Sequence, residues 1–330
     1  MEEKIKIYIP QSINDTLMND MEKFLFIKRN GQLNRNNFIN TLIMNYYENY
    51  QARVQRLYEQ INSSITSLMD TLDTQAIEHA ASTIVQDIQK DSYDLSHPKM
   101  DIALSLKPTK RSSDTIQFIQ DYYLKDQSLS NYFRNMLARY ASLSQDKRER
   151  IIFKDKFDCI EEAIRTDKKL YITTMIGKKN IISPYKIVSA REELFNYLLA
   201  EMNGKTFTFR ISRLKSVTLI NEKKTIREEN IPFFEKMILY GPQFTIRKNE
   251  EIIVYLSDEG IRRYHNMYVH RPVVKRIEGH LYYFDCSENQ VLQFFYRFHK
   301  EAQILEPISL RNQVIHMIEE AHTEYLKLNT

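Results

Sequence analysis

The sequence predicts an α+β multidomain protein: a helical N-terminal region led by short strands, then a small β-barrel, then a C-terminal α/β sandwich. Three observations carry this. A strand-helix-helix order occurs twice, about one hundred residues apart. Five short strand patterns crowd between residues 170 and 220, and from residue 251 strand and helix patterns alternate. A chain of 330 residues has room for two or three domains.

The first copy is "KIKIYIPQSINDTLMNDMEKFLFIKRNGQLNRNNFINTLIMNYYENY". Ile5, Ile7 and Ile9 alternate with Lys6 and Tyr8, the period of a strand with one buried face, and Pro10 ends the pairing. Ile13, Leu17, Met21, Phe24 and Leu25 follow helical spacing. Asn30-Gly31 stops that helix, and Asn34 or Asn36 caps a second one bearing Phe38, Leu42, Ile43 and Tyr46.

The second copy is "MDIALSLKPTKRSSDTIQFIQDYYLKDQSLSNYFRNMLARYASL". Ile102, Leu104 and Leu106 turn inward, and Pro108 follows. One helix then carries Ile116, Phe118, Ile119 and Tyr122, and a second is capped near Ser128 or Ser130. Both copies resemble the ribbon-helix-helix family of DNA-binding proteins, whose two short strands pair as an antiparallel ribbon in the major groove. That family normally uses two chains, so two copies in one chain imply a pseudo-dimer. The resemblance implies outward ribbon positions at Lys4, Lys6, Tyr8, Ala103, Ser105 and Lys107, with phosphate near Arg35 and Ser130 at the second helices. The alternative is two helical hairpins whose leading strands merely pair. Between the copies, Val54, Leu57, Ile61, Ile65 and Leu68, then Ile77, Ile84 and Ile88, predict two long spacer helices.

After a short helix in "FDCIEEAIRTDKK", the strand patterns fall at 170 to 177, 181 to 189, 194 to 202, 205 to 211 and 214 to 220. Turns at Gly177-Lys178-Lys179 and Asn203-Gly204 join them, and a small closed barrel is expected. The segments "AIRTDKKLYI", "ISPYKIV", "FNYLLA" and "FTFRISRLKSV" resemble, in order and spacing, the WYL-domain family, an SH3-like or Sm-like barrel of bacterial transcriptional regulators. Asn196 stands where that family has its tryptophan, while Tyr197 and Leu198 match. Arg210-Ile211-Ser212-Arg213 lacks the acid the family's arginine run usually holds. The resemblance implies an anion-facing site from Tyr185, Tyr197, Arg210 and Arg213, with Ser183 and Lys186 beside it, for a nucleotide-like or nucleic-acid ligand. Guanidinium forks suit phosphate and tyrosine rings stack on bases. Tyr197 shares a strand face with Phe195 and Leu199, so a core role stays open. Strict alternation puts Arg210 and Arg213 on opposite faces unless the chain bends near Ser212.

The remainder, through "ILEPISLR", is similar to the C-terminal extension of many WYL proteins, and that similarity implies homodimerisation. Read from its residues it gives strand, helix, strand, strand, helix, strand, helix, a ferredoxin-like split β-α-β sandwich. The expected domains are 1 to 50 and 98 to 146 for the two copies, 51 to 97 for the spacer, 147 to 230 for the barrel and 231 to 330 for the extension.

Net charge is only +4, but Lys168 to Arg227 holds thirteen basic and four acidic residues, so the cationic excess gathers in the barrel. No phosphate-cradling glycine loop, nucleophile elbow or H-E-x-x-H occurs, and His265 with His270 lacks an adjoining third ligand. Neither an enzyme nor a cofactor or metal is expected. Cys159 and Cys286 belong to no pairing motif, no apolar run suits a membrane, and the opening residues lack a signal-peptide order. The sequence therefore predicts a cytoplasmic DNA-binding transcriptional regulator with a ligand-sensing barrel. The alternative is a single-stranded RNA-binding accessory factor of a CRISPR system.

Overall fold

A computed structural model describes residues 4–68, 73–90, 102–124, 127–248 and 250–327. Among these are eleven α-helices and three antiparallel sheets, and no helix is long and apolar enough to cross a membrane. The chain divides into two compact units, residues 1–154 and 155–330.

In the first unit, β1 (Ile5–Ile9) leads into α1 (Gln11–Lys23), α2 (Arg35–Leu68) and α3 (Thr74–Lys90). Then come β2 (Ile102–Leu106), α4 (Lys110–Tyr122), α5 (Leu129–Ala141) and α6 (Gln145–Ile152). The two strands pair antiparallel with Ile7 opposite Leu104. Ile7, Ile9, Leu104 and Leu106 are buried, so one ribbon face joins a core with Leu17 and Met21 of α1, Phe38 and Leu42 of α2, and Phe133 and Met136 of α5. Each such side chain contributes roughly 1.5–3 kcal/mol through burial.

Asn34 caps α2 by accepting from the Asn37 N–H at 3.3 Å, and Ser128 caps α5 by accepting from Asn131 at 3.2 Å. α2 runs on past the boundary expected at residue 50, because residues 35–68 contain neither glycine nor proline to break it. The boundary expected after residue 97 lies outside the described residues. Leu25, expected inward, is 40% exposed: α1 stops at Lys23 and Leu25 takes φ 61°, which turns its side chain out. Phe118 and Tyr122 are exposed too, their rings tilted against each other with centroids 4.8 Å apart.

An ionic knot sits inside this unit. Arg148 donates Nε to Asp20 Oδ2 at 2.7 Å and Nη2 to Oδ1 at 3.0 Å, and the Tyr140 hydroxyl donates to Oδ2 at 2.7 Å. Burial and the Asp20 carboxylate push the Tyr140 phenol well above its ordinary pKa. Burial would depress the Arg148 guanidinium, but its bonds to Asp20 outweigh that and raise it.

The second unit begins with α7 (Lys154–Arg165), which buries Phe157, Ile160 and Ala163. β3 (Lys168–Thr174), β4 (Lys179–Ser189), β5 (Asn196–Met202), β6 (Lys205–Arg210) and β7 (Leu214–Lys223) form one sheet in the order β6-β5-β4-β3-β7. β6 and β7 are its two edges, yet only a 3₁₀ turn, Ile211–Arg213, joins them. Such a connection spans at most about 14 Å, whereas the edges of a flat five-stranded sheet lie about 19 Å apart. The sheet therefore curls. No ladder joins β6 to β7 among the described residues, so the closed barrel expected from sequence is an open, curled sheet. α8 (Ile231–Tyr240) covers one face, with Phe234, Met237 and Ile246 packed on Leu199.

β8 (Ile252–Leu256), α9 (Asp258–Asn266), β9 (Val274–Glu278), β10 (Leu281–Phe284), α10 (Glu288–Phe295), β11 (Ala302–Glu306) and α11 (Ile308–Lys327) complete the chain. Their sheet has the order β11-β8-β10-β9. Val254, Leu256, Phe284, Phe294 and Phe298 centre its core.

Candidate nucleic-acid interface

Alternation along β1 and β2 fixes what the ribbon shows outward. With Ile7, Ile9, Leu104 and Leu106 buried, Lys6, Tyr8, Ala103 and Ser105 must lie on the other face, and all four are exposed. The register places Lys6 opposite Ser105 and Tyr8 opposite Ala103. Lys4 and Lys107, one step beyond the Ile5–Leu106 pair, are exposed as well. The structure thus brings Lys4, Lys6, Tyr8, Ser105 and Lys107 onto one surface.

Side chains of the second helices anchor this ribbon. Asn36 Oδ1 accepts from the Lys107 N–H at 2.9 Å, Asn40 Nδ2 donates to the Lys107 carbonyl at 3.2 Å, and Arg134 Nε donates to the Tyr8 carbonyl at 2.7 Å. Asn36 is thereby occupied as a strand anchor, which leaves capping to Asn34. Arg35 is exposed at the first turn of α2 with no acidic partner among the described residues, where the helix N-terminus also favours anions. Ser130 lies half-buried inside the first turn of α5.

The residues expected to form an anion site on the curled sheet do not share one surface. Ser183 is buried, and its Oγ accepts from the Thr225 N–H at 3.1 Å. Tyr185 falls at a register shift between Pro184 and Lys186. Its ring stacks on Phe234 at 4.4 Å and its hydroxyl donates to Glu235 at 2.7 Å. Burial, then this carboxylate, raises the phenol pKa. Tyr197 is buried and donates its hydroxyl to Glu193, so both tyrosine hydroxyls go to carboxylates. Lys186 is exposed and has no acidic partner among the described residues.

Arg210 pairs across the ladder with Tyr197, lies 3.1 Å from the Phe195 ring centroid and donates Nε to Ser212 Oγ at 3.0 Å. The chain does bend at Ser212, but the 3₁₀ turn leads Arg213 elsewhere. Arg213 is exposed, and its carbonyl accepts from the Met175 N–H at 3.3 Å, beside the β3–β4 hairpin. A cationic end results that sequence reasoning did not assemble. Lys178 and Lys179 of the hairpin, with Arg213 and Lys215, are exposed and have no acidic partner among the described residues. Other cations of the same sheet do pair: Lys169 meets Glu222 at 3.0 Å and Lys224 meets Asp167 at 3.3 Å. Ile176, in the same hairpin, is 89% exposed. The signal was present in the lysine pair at a predicted turn, but the 3₁₀ turn that adds Arg213 was not.

The two histidines weighed as metal ligands have different neighbours. His270 Nδ1 stands 3.1 Å from Glu192 and Nε2 stands 3.5 Å from Glu193, while His265 is exposed with its ring edge-on to Tyr264. Among the described residues no group of three or more histidines, cysteines or carboxylates is placed to hold a metal.

No family model matches the chain, and no curated protein matches it. A solved structure described as a "CRISPR Cas-related protein" superposes with a TM-score of 0.68 at 20% identity, covering 98% of this chain and 94% of that one. The chain shares that protein's fold from end to end. Proteasome accessory factor B/C of Arthrobacter aurescens superposes with a TM-score of only 0.26 at 14% identity, over 69% of this chain and 38% of that one.

Proposed function

We propose that the chain is a nucleic-acid-binding protein and, more specifically, a DNA-binding transcriptional regulator of ribbon-helix-helix type. The observation that carries this reading is the antiparallel β1–β2 pair, which presents Lys4, Lys6, Tyr8, Ser105 and Lys107 on one exposed face. A two-stranded ribbon fits the major groove, and its side chains can donate to base edges. Arg35 at the N-terminus of α2 is suited to a phosphate. Lys6→Ala with Tyr8→Ala should lower affinity for a selected duplex at moderate salt; unchanged affinity and footprint would refute the reading.

The curled sheet is proposed as a WYL-like domain for a nucleotide-like or nucleic-acid ligand, contacted through Lys186 and Arg213 with Lys178, Lys179 and Lys215. Ser183, Tyr185, Tyr197 and Arg210 act in this reading as supports. The last part is proposed as a ferredoxin-like extension, and exposed Ile308, Ile315 and Ile318 of α11 support self-association through it. Sedimentation of an Ile315→Glu, Ile318→Glu variant tests that dimer.

The second reading is a single-stranded RNA-binding accessory factor of a CRISPR system. It is favoured by Lys178, Lys179, Arg213 and Lys215, which have no acidic partner among the described residues, with exposed Ile176 in the same hairpin, a set that suits a flexible strand, and by the fold shared with a CRISPR Cas-related protein. Side-by-side titration with duplex DNA and single-stranded RNA separates the two: preference for a defined duplex supports the regulator, and preference for RNA supports the accessory factor.

A further inference from the structure

The two strands of the ribbon belong to one chain and carry different residues. A ribbon made by two identical chains must show the same side chains on both strands, so its two ends are equivalent and it reads inverted repeats. Here the antiparallel pair is centred on Ile7 opposite Leu104. The two-fold relation of such a pair carries Lys6 onto Ala103 and Tyr8 onto Ser105. Neither pair matches in chemistry.

The mismatch has a direction. From one end of the outward face to the other, the cross-strand neighbours are Lys4 with Lys107, Lys6 with Ser105, and Tyr8 with Ala103. Three ammonium groups therefore gather at one end, whereas at the Tyr8–Ala103 end the outward ribbon side chains are a phenol and a methyl. Side chains of the second helices hold the ribbon backbone at both ends by hydrogen bonds: Asn36 and Asn40 at Lys107, Arg134 at Tyr8. The lysine-bearing end and the Tyr8–Ala103 end are thus fixed and chemically different parts of one recognition surface.

Base-edge chemistry gives each end a preference. A lysine ammonium donates to guanine O6 and N7, which expose two acceptors in the major groove, whereas an alanine methyl suits the thymine methyl. We propose that the ribbon reads a non-palindromic duplex site, with guanine under the Lys4–Lys6–Lys107 end and thymine under the Tyr8–Ala103 end. This rests on the duplex-reading function proposed above. The two halves of the target then differ because the two halves of the reader differ.

The test is selection of bound duplexes from a random-sequence pool by the full chain, by Lys6→Ala, and by the double variant Ala103→Lys, Ser105→Tyr. The double variant makes the two strands alike at these positions. All three substituted positions are exposed, and circular dichroism checks folding. The expected result is an asymmetric motif for the natural chain, about a tenfold loss of affinity and loss of preference at the guanine end alone for Lys6→Ala, and a shift toward an inverted repeat for the double variant. An inverted repeat selected by the natural chain, or a Lys6→Ala motif unchanged at both ends, overturns the asymmetry while leaving duplex reading intact. Failure to enrich any duplex overturns both. Should the double variant fail to fold, Lys6→Ala still decides between the outcomes.

Discussion

Arg148 grips Asp20 with two hydrogen bonds, of 2.7 and 3.0 Å, while the aspartate side chain has no exposed surface. The pair ties α1 to α6, elements far apart in sequence. Removing one partner strands the other without water or counterion, so Asp20→Ala should destabilise the first unit by about 3–5 kcal/mol in urea unfolding. Replacing both by apolar residues, Asp20→Leu with Arg148→Met, should cost much less. A double variant as unstable as the single one would show that the pair contributes more than mutual compensation.

Gly260 offers a contest between two opposed effects. It lies inside α9, where alanine ordinarily stabilises a helix by about 1 kcal/mol. A Cβ there would come 2.2 Å from the Glu301 carbonyl oxygen, and backbone cannot swing aside as a side chain can. The clash should win: Gly260→Ala is expected to lower stability by about 1–3 kcal/mol in thermal unfolding.

Cys286 should be silent to thiol reagents until the protein unfolds. Burial, and next the charge of Asp285, push its thiol from 9.0 up to about 12, so almost no thiolate exists at pH 8. The folded state holds this proton more tightly than the unfolded state. The stability it confers is therefore complete below about pH 9 and is lost as pH rises toward 12. Labelling at pH 8 with and without denaturant checks the first statement. Comparing alkaline unfolding with that of Cys286→Ala checks the second.

Arg210 and Arg213 should separate cleanly on substitution. Arg213→Ala or Lys179→Ala should lower nucleic-acid affinity and reduce the slope of log K against log salt by about 0.7–0.9 each. Arg210→Ala should leave that slope alone and instead lose about 1 kcal/mol of stability with its Phe195 contact. Equal effects on the slope would place both arginines on the ligand.

These contrasts show where the sequence was informative. Period-two alternation on both sides of Ile7 and Leu104 specified an inner and an outer ribbon face, and long-range pairing kept that local rule. Helix starts were legible from Asn34 and Ser128 because capping is local chemistry. The curled sheet was legible as strands and turns, but the surroundings of its candidate residues were not. Tyr185 lies at a register shift that period-two counting cannot see, Tyr197 is claimed by a carboxylate four residues earlier, and three residues of 3₁₀ helix send Arg213 to another neighbourhood. Such departures depend on which partners meet in space, and spacing along the chain does not encode that.

The pairing of β1 with β2 also governs how the protein responds to dilution. Readers assembled from two separate chains fall apart as their concentration drops, so their occupancy of a target reflects both association and binding. Here closure of the ribbon is a first-order event within one molecule, at a loop-closure cost that grows only slowly with length. A cell holding a handful of copies would keep every ribbon assembled, whatever dilution does to association between chains.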